Sequence, residues 1–224
     1  MSLTTAALVI IDLQNDFLAP DAPFAVHPEP REAIQQSISS LVPTFRTAGG
    51  HIIWIKSNYR HGMPSGELES VEPEPSRTSH SVQPLVSIPS SLLWVLEGTH
   101  TGKKPCCQAG TPGAELVDWA AQLVKDEDVT VVKTYYSAFR RTRLLEELVS
   151  KGIDTVYISG LLSNMCVLAT TLDALRSMQS KVAIVVDGLA WRKETSHHKA
   201  LETFRQHGVQ LIASAEIPQA VREC

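Results

Sequence analysis

The run AALVII, from Ala6 to Ile11, is followed directly by Asp12 and contains six apolar residues in succession. A strand covered on one face only would alternate apolar and polar residues, whereas a strand buried on both faces of a parallel sheet is apolar throughout. The run is too short for the core of a signal peptide and has no basic flank. It therefore predicts a buried strand of a parallel sheet.

Five similar apolar runs follow and alternate with helical patterns. The runs span residues 52–55, 129–132, 155–159, 182–186 and 209–213. The helical patterns span residues 31–47, 114–125, 142–151, 164–179 and 195–207. Glycines stand where a helix should end and a strand begin, at Gly49, Gly152 and Gly208. This alternation implies right-handed crossovers and predicts an α/β fold, a three-layer α/β/α sandwich.

Composition limits the kind of protein. The chain has 224 residues, 43% of them hydrophobic, which suits a single domain over residues 1–224. The net charge of -4 and pI near 6.1 give no reason to expect nucleic acid or an anionic membrane as a partner. No run approaches the roughly 18 apolar residues that span a bilayer. Four cysteines without CxxC spacing indicate free thiols in a reducing compartment, so we expect a cytoplasmic protein.

One segment breaks the alternation. Residues 58–113 are rich in Pro, Ser, Gly and Glu. A loop this long in a compact domain is usually functional or disordered. Two interpretations stand: an excursion that covers the active site or makes a subunit contact, and a mobile surface insertion.

Reactive residues stand at the carboxyl ends of three predicted strands, the edge at which open α/β sheets bind ligands. Asp12 ends the first strand, Lys133 ends the third, and Cys166 lies in the first turn of the helix that follows the fourth. A helix N-terminus and a nearby ammonium both favour the thiolate, the nucleophilic form of cysteine. A carboxylate can then carry the proton between thiol and leaving group.

Each of these residues also has a structural interpretation. Cys166 could be a small buried hydrophobic residue, Asp12 a helix or turn cap, and Lys133 a surface lysine with a buried stem. Position alone leaves both interpretations open.

Four motifs, in order, resemble the isochorismatase-like cysteine hydrolases. They are VIIDLQNDF at residues 9–17, GTPGAEL at 110–116, KTYYSAF at 133–139 and GLLSNMCV at 160–167. The resemblance implies a six-stranded parallel sheet, frequent homo-oligomers and a triad of Asp12, Lys133 and Cys166. It also implies a cis peptide between Leu161 and Leu162, with the Leu162 and Cys166 N–H groups facing the oxyanion. The expected function is hydrolysis of a small amide, ureido or related C–N substrate through a thioester.

Two alternatives remain at this stage. The first is hydrolysis of isochorismate, a vinyl ether cleavage that releases pyruvate and can proceed without a thiol. The second is a binding module that uses the 58–113 excursion. Nicotinamidases of this family carry an Asp-x-His metal cluster after the second strand, where this chain reads KSNYRH at residues 56–61. We therefore expect no metal and no cofactor.

Several further residues receive provisional roles. The expected substrate-binding residues are Phe17, Asn58 and Tyr136, with Trp54 and Phe139 either lining the pocket or filling the core. The histidines at positions 197 and 198 are interpreted as a solvated first helical turn. No role is assigned to the cysteines at positions 106, 107 and 224. The expected partners are a small-molecule substrate and further copies of the chain.

Overall fold

A six-stranded parallel sheet forms the centre of the protein. The computed structural model describes residues 5–22, 24–59 and 106–217. The strands of that part lie in the order β3-β2-β1-β4-β5-β6, and every neighbouring pair is parallel. Their bounds are β1 Ala6–Ile11, β2 His51–Ser57, β3 Val129–Lys133, β4 Thr155–Leu161, β5 Lys181–Ala190 and β6 Gln210–Ile212. The predicted sheet is confirmed.

Helices flank this sheet and complete the three-layer sandwich. They are α1 Asn15–Leu18, α2 Glu29–Thr47, α3 Asp118–Ala121, α4 Leu144–Ser150, α5 Leu168–Ser177 and α6 Glu194–Gln206. Shorter helical turns lie at Pro112–Ala114, Ser163–Val167 and Ser214–Glu216. Across the described segments, no helix has both the length and the apolar character that a membrane crossing requires.

The expected helix over residues 114–125 is wrong. That segment begins at the last residue of the 3-10 turn Pro112–Ala114 and contains the four-residue α3, with Val117 extended between them. The backbone bonds elsewhere, because the Val117 N–H donates to the Leu13 carbonyl at 2.9 Å and Leu116 forms a bridge with Gln14. The segment therefore holds the chain that follows β1.

The core includes the whole of β1, whose six residues are all buried. Val9 is paired with Ile53 of β2 on one side and Ile158 of β4 on the other. Helix α2 buries an apolar stripe at helical spacing, consisting of Ile34, Ile38, Leu41 and Phe45. A strand buried on both faces needs the continuous apolar run that the sequence provides.

Gly160 lets β4 approach β1 closely at the carboxyl edge of the sheet. Its φ of +116° lies in a region that L side chains rarely adopt, and a Cβ there would lie 2.2 Å from the Ile11 carbonyl oxygen. Gly160 is the register partner of Ile11. The close approach brings the turn after β4 next to the residue after β1.

Candidate active site

Asp12 directly follows β1 and is fully buried. Its backbone has the left-handed φ of 59°, and its N–H donates to the Ile55 carbonyl at 2.9 Å. The N-cap of α1 is Gln14, so the capping interpretation of Asp12 is wrong. Its Oδ1 accepts a hydrogen bond from Ser57 at 2.9 Å, and its Oδ2 lies 2.8 Å from the Lys133 ammonium.

Lys133 ends β3 with a side chain that is 0% exposed, which excludes the surface interpretation. Its Nζ contacts three groups: Asp12 Oδ2 at 2.8 Å, Ser57 Oγ at 2.6 Å and Cys166 Sγ at 3.3 Å. A buried ammonium is stable only when its donors are satisfied and a counter-charge is near. The three contacts supply both conditions.

Cys166 lies in a π-helical turn, Ser163–Val167, between β4 and α5. The prediction that it lies in the first turn of the next α-helix is therefore wrong, because α5 begins only at Leu168. The peptide bond between Leu161 and Leu162 is cis, as expected. The Leu162 carbonyl accepts the N–H groups of Met165 and Val167 at 2.9 and 3.2 Å, which fixes the shape of the turn. The Leu162 N–H group directly precedes this turn, and the Cys166 N–H group belongs to it.

The nearby ammonium favours the Cys166 thiolate, as the sequence analysis expected, but burial has the larger and opposite effect. Burial raises the pKa of Cys166, the Lys133 ammonium lowers it, and the Asp12 carboxylate raises it. With all of these effects together, the pKa of Cys166 is raised to about 12. Burial also acts against the charged form of Lys133, but Asp12 and Cys166 outweigh it and raise the pKa of the ammonium. Both shifts favour the proton-bound forms, the neutral thiol of Cys166 and the ammonium of Lys133.

Two side chains that the sequence analysis did not select complete the cluster. Ser57 ends β2, and its hydroxyl lies between Lys133 and Asp12. The Tyr59 hydroxyl lies 3.0 Å from Ser57 Oγ and 3.7 Å from Cys166 Sγ. Burial, with the negative charges of the site, raises the pKa of Tyr59 well above its ordinary value. The available signal was that β2, too, ends at this edge of the sheet.

Gln14 fixes the position of these strand ends. Its amide group donates to the carbonyls of Ser57 at 2.8 Å and Ala114 at 2.7 Å, and its carbonyl accepts the Ser57 N–H at 2.8 Å. All three bonds are buried, so Gln14 holds the end of β2 against the segment that follows β1.

The expected pocket residues occupy different surroundings. Tyr136 is buried and packs edge-on against Tyr59, with ring centroids 6.4 Å apart. The Asn58 N–H donates to the Lys133 carbonyl at 2.8 Å, and its Oδ1 is buried with no hydrogen bond to any described residue. Phe17 lies on α1 and packs edge-on against Phe24 at 6.1 Å. Trp54 fills the core instead.

Trp54 is fully buried, and its indole N–H donates to Asp128 at 2.9 Å, near the amino end of β3. Phe139 is half-buried and packs against the core. Both side chains therefore contribute to the core.

His197 is not solvated, contrary to expectation. It is 7% exposed, its Nδ1 lies 3.1 Å from the Ser163 hydroxyl, and its ring stacks on Trp191 at 4.1 Å. Burial lowers the pKa of His197 to about 4. The neighbouring His198 is exposed, as expected. No sequence pattern indicated that His197 is buried, because its partner Ser163 is 34 positions away in the chain.

As far as residue 59, where the described segment stops, the end of β2 offers no carboxylate or imidazole donor of an Asp-x-His metal site. The described residues there are Ser57, Asn58 and Tyr59, while His61 lies outside the described residues. Among the described residues, the one group of three possible metal ligands comprises Asp16, Cys106 and Cys107. No step of the proposed chemistry below uses a metal.

The fold and the cluster define a class: an α/β protein with a buried thiol, ammonium and carboxylate at the carboxyl edge of a parallel sheet. The isochorismatase domain matches residues 6–216, so the chain belongs to the isochorismatase family and is a hydrolase.

The chain is similar to characterised and solved members along nearly its whole length. It is 26% identical to a probable inactive nicotinamidase of Arabidopsis thaliana, over 91% of this chain and 90% of that protein. It is 25% identical to the nicotinamidase of Schizosaccharomyces pombe, over 97% of both chains. The crystal structure of an isochorismatase family protein from Desulfovibrio vulgaris is 26% identical, with a TM-score of 0.72, and the match covers 97% of this chain and 98% of that chain.

Proposed function

We propose that the protein hydrolyses the C–N bond of a small amide, ureido or related substrate, with Cys166 as nucleophile, Asp12 as proton carrier and Lys133 as the cation between them. The relatives named nicotinamidases support an amide as the class of substrate. The partner of the site is then a small molecule, and the reaction passes through a thioester.

One observation carries this proposal. The Lys133 ammonium contacts both the Cys166 sulfur, at 3.3 Å, and an Asp12 carboxylate oxygen, at 2.8 Å, in a buried cluster. A purely structural cysteine needs neither partner, because a buried thiol behaves as a small hydrophobic group. A thiol that must lose its proton in a dry site needs both a base and a cation.

The steps follow from these contacts. Asp12 accepts the thiol proton, and the ammonium of Lys133 stabilises the thiolate as it forms. The sulfur attacks the carbonyl carbon, and the π electrons of the carbonyl move to its oxygen. The tetrahedral intermediate collapses, the C–N bond breaks, and Asp12 returns the proton to the leaving nitrogen. Water then hydrolyses the thioester, which releases the acid and restores the thiol.

The turn after β4 is proposed to stabilise the oxyanion through the N–H groups of Leu162 and Cys166. Backbone donors held rigidly in a water-poor site are effective, since they need no reorganisation during the reaction. Tyr136, Asn58 and Phe17 are proposed to bind the substrate. The side-chain oxygen of Asn58, Oδ1, is suited to accept a hydrogen bond from a substrate N–H, since it is buried without a partner among the described residues.

Isochorismate hydrolysis is less well supported, because vinyl ether cleavage by acid chemistry gives no role to the contact between Lys133 and Cys166. Two assays separate the reactions. Ammonia release from a panel of small amides, including nicotinamide and ureido compounds, reports C–N hydrolysis. Pyruvate release from isochorismate reports the other reaction.

The test is Cys166→Ala. We expect kcat/KM for the best amide of the panel to fall at least about a thousandfold, the scale on which a covalent nucleophile contributes. Cys224→Ala, which removes a thiol without a proposed role, should retain wild-type activity. Acyl-enzyme trapping by mass spectrometry should place the added mass on Cys166. Full activity of folded Cys166→Ala protein would exclude the thiol mechanism.

A further inference from the structure

A second group of reactive side chains lies outside the proposed triad. Asp16 on α1 and the adjacent Cys106 and Cys107 present one oxygen and two sulfur atoms, all within 4.8 Å of one another. Both cysteines are free and fully buried. Asp16 and Cys107 are 91 positions apart in the sequence, so the fold brings this group together.

We propose that Asp16, Cys106 and Cys107 form a binding site for a thiophilic divalent cation of the Zn²⁺ type. The site is separate from the proposed catalytic chemistry, which uses neither thiol.

The distance between the sulfurs fits this coordination. The Cys106 and Cys107 Sγ atoms are 3.7 Å apart. In a tetrahedral site with Zn–S bonds of about 2.3 Å, two sulfurs are separated by about 3.8 Å. One cation therefore fits between the two thiolates without moving them. The Asp16 carboxylate is a third ligand of a type that zinc accepts, with its oxygen at about 2.0–2.2 Å.

Asp16 is held where the site needs it. Its Oδ2 accepts the Cys107 N–H at 2.6 Å, which ties the carboxylate to the cysteine pair. Its side chain also fills the space next to Gly113, where a Cβ would lie 2.2 Å from Asp16 Oδ1. A larger residue at position 113 would displace the carboxylate.

A positively charged side chain lies near the proposed metal complex. Two thiolates, one carboxylate and a divalent cation carry one net negative charge, and the Arg192 guanidinium lies close enough to interact with Cys106. Arg192 is itself fixed by stacking on Phe24 at 3.9 Å. Binding releases the two thiol protons to solvent, since the ligands are thiolates. Soft sulfur donors favour Zn²⁺ or Cd²⁺ over Mg²⁺ or Ca²⁺.

A bound cation would act on structure. The Cys107 carbonyl accepts the Tyr59 N–H at 3.1 Å, so the cysteine pair lies next to the end of β2. Closing the site joins α1, the segment after residue 105 and the chain that leaves β2. We therefore expect a higher Tm with the cation bound.

The test is a Cd²⁺ titration monitored by ultraviolet absorption of the thiolate-to-metal charge-transfer band. The protein carries Cys166→Ser and Cys224→Ser, so that Cys106 and Cys107 are the remaining thiols. We expect a band that saturates at one Cd²⁺ per chain, release of two protons, and a raised Tm. Adding Cys106→Ser and Cys107→Ser should abolish all three, and Asp16→Asn should weaken binding.

Three results would overturn the site: no band in the folded two-thiol protein, saturation at one cation per two chains, or unchanged affinity in Asp16→Asn. If the two-thiol protein does not fold, the wild-type chain is compared with Cys106→Ser/Cys107→Ser. Retention of the wild-type band in that variant would equally refute the proposal, and its loss would support it.

Discussion

At the scale of single residues, the Ser57 hydroxyl organises the candidate site. It accepts a hydrogen bond from Lys133 at 2.6 Å and donates its single proton to Asp12 at 2.9 Å. The Tyr59 hydroxyl, 3.7 Å from the Cys166 sulfur, is then free to point its proton at the thiolate when it forms. This hydrogen bond lowers the pKa of Cys166 against the larger effect of burial.

Tyr59→Phe should therefore reduce the rate of thiolate formation while preserving the ring that packs on Tyr136. A hydrogen bond to a charged group is worth roughly 1.5–3 kcal/mol, or roughly 10- to 100-fold in rate. We expect kcat for the best amide to fall by about that factor, with KM little changed. Tyr135→Phe is the matched control, because the Tyr135 hydroxyl is buried without a hydrogen-bond partner among the described residues. Equal losses in both variants would show that the Tyr59 hydroxyl has no special role.

At the scale of elements, the apolar runs were sufficient to predict the strands, but they did not predict the turn that holds Cys166. All six runs lie on observed strands, and Ala6–Ile11 matches β1 at both ends. The π-helical turn Ser163–Val167 has no periodic signal, because its geometry depends on partners elsewhere. One of those partners is His197 of α6, which contacts the Ser163 hydroxyl at 3.1 Å.

His197 makes stability depend on pH. Its pKa is lowered from 6.5 to about 4 by burial, so the unfolded chain binds more protons than the folded one between these values. The contribution of the neutral, buried His197 to the free energy of unfolding is complete above about pH 6.5 and is lost as the pH falls towards 4. At 1.36 kcal/mol per pKa unit, the loss is roughly 3 kcal/mol at most.

The measurement is urea unfolding between pH 7 and pH 4. His197→Gln should lose less stability over this range than the wild type, because glutamine has no proton to gain. His207→Gln is the matched control, since His207 is an exposed histidine at the other end of α6 and should leave the wild-type slope unchanged. Identical slopes for His197→Gln and the wild type would contradict the assignment.

At the scale of the whole molecule, the sequence predicted that three reactive side chains meet at the carboxyl edge of the sheet, and the structure brings these three together. Asp12, Lys133 and Cys166 were selected because each follows a strand, and parallel strands place their carboxyl ends together. Ser57 and Tyr59 were not selected, since serine and tyrosine are common in many settings and their contacts span distant segments. Distances and protonation depend on burial, which a single sequence does not reveal.

At the opposite edge of the sheet, a hydrogen-bonded cluster stabilises the fold. Its centre is Asp128, the residue just before β3. One Asp128 oxygen accepts hydrogen bonds from Arg46 of α2 at 2.5 Å, Trp54 of β2 at 2.9 Å and the Lys125 N–H at 3.0 Å. The Arg46 and Asp128 side chains are 17% and 2% exposed. This carboxylate therefore joins a helix, a strand and a loop.

Asp128→Ala should lower the free energy of unfolding by about 3 kcal/mol, because it leaves the Arg46 charge without its counter-charge and the Trp54 N–H without its acceptor in a buried setting. Urea unfolding gives the change.

Glu127→Ala is the matched control: its ion pair with Lys125 is long, at 3.9 Å, and its side chain is 65% exposed, so a loss of about 0–1 kcal/mol is expected. At temperatures where Asp128→Ala is folded, kcat/KM should match the wild type, because Asp128 and Lys133 lie at opposite ends of β3. A stability loss no larger than that of Glu127→Ala would show that the carboxylate does not join these elements.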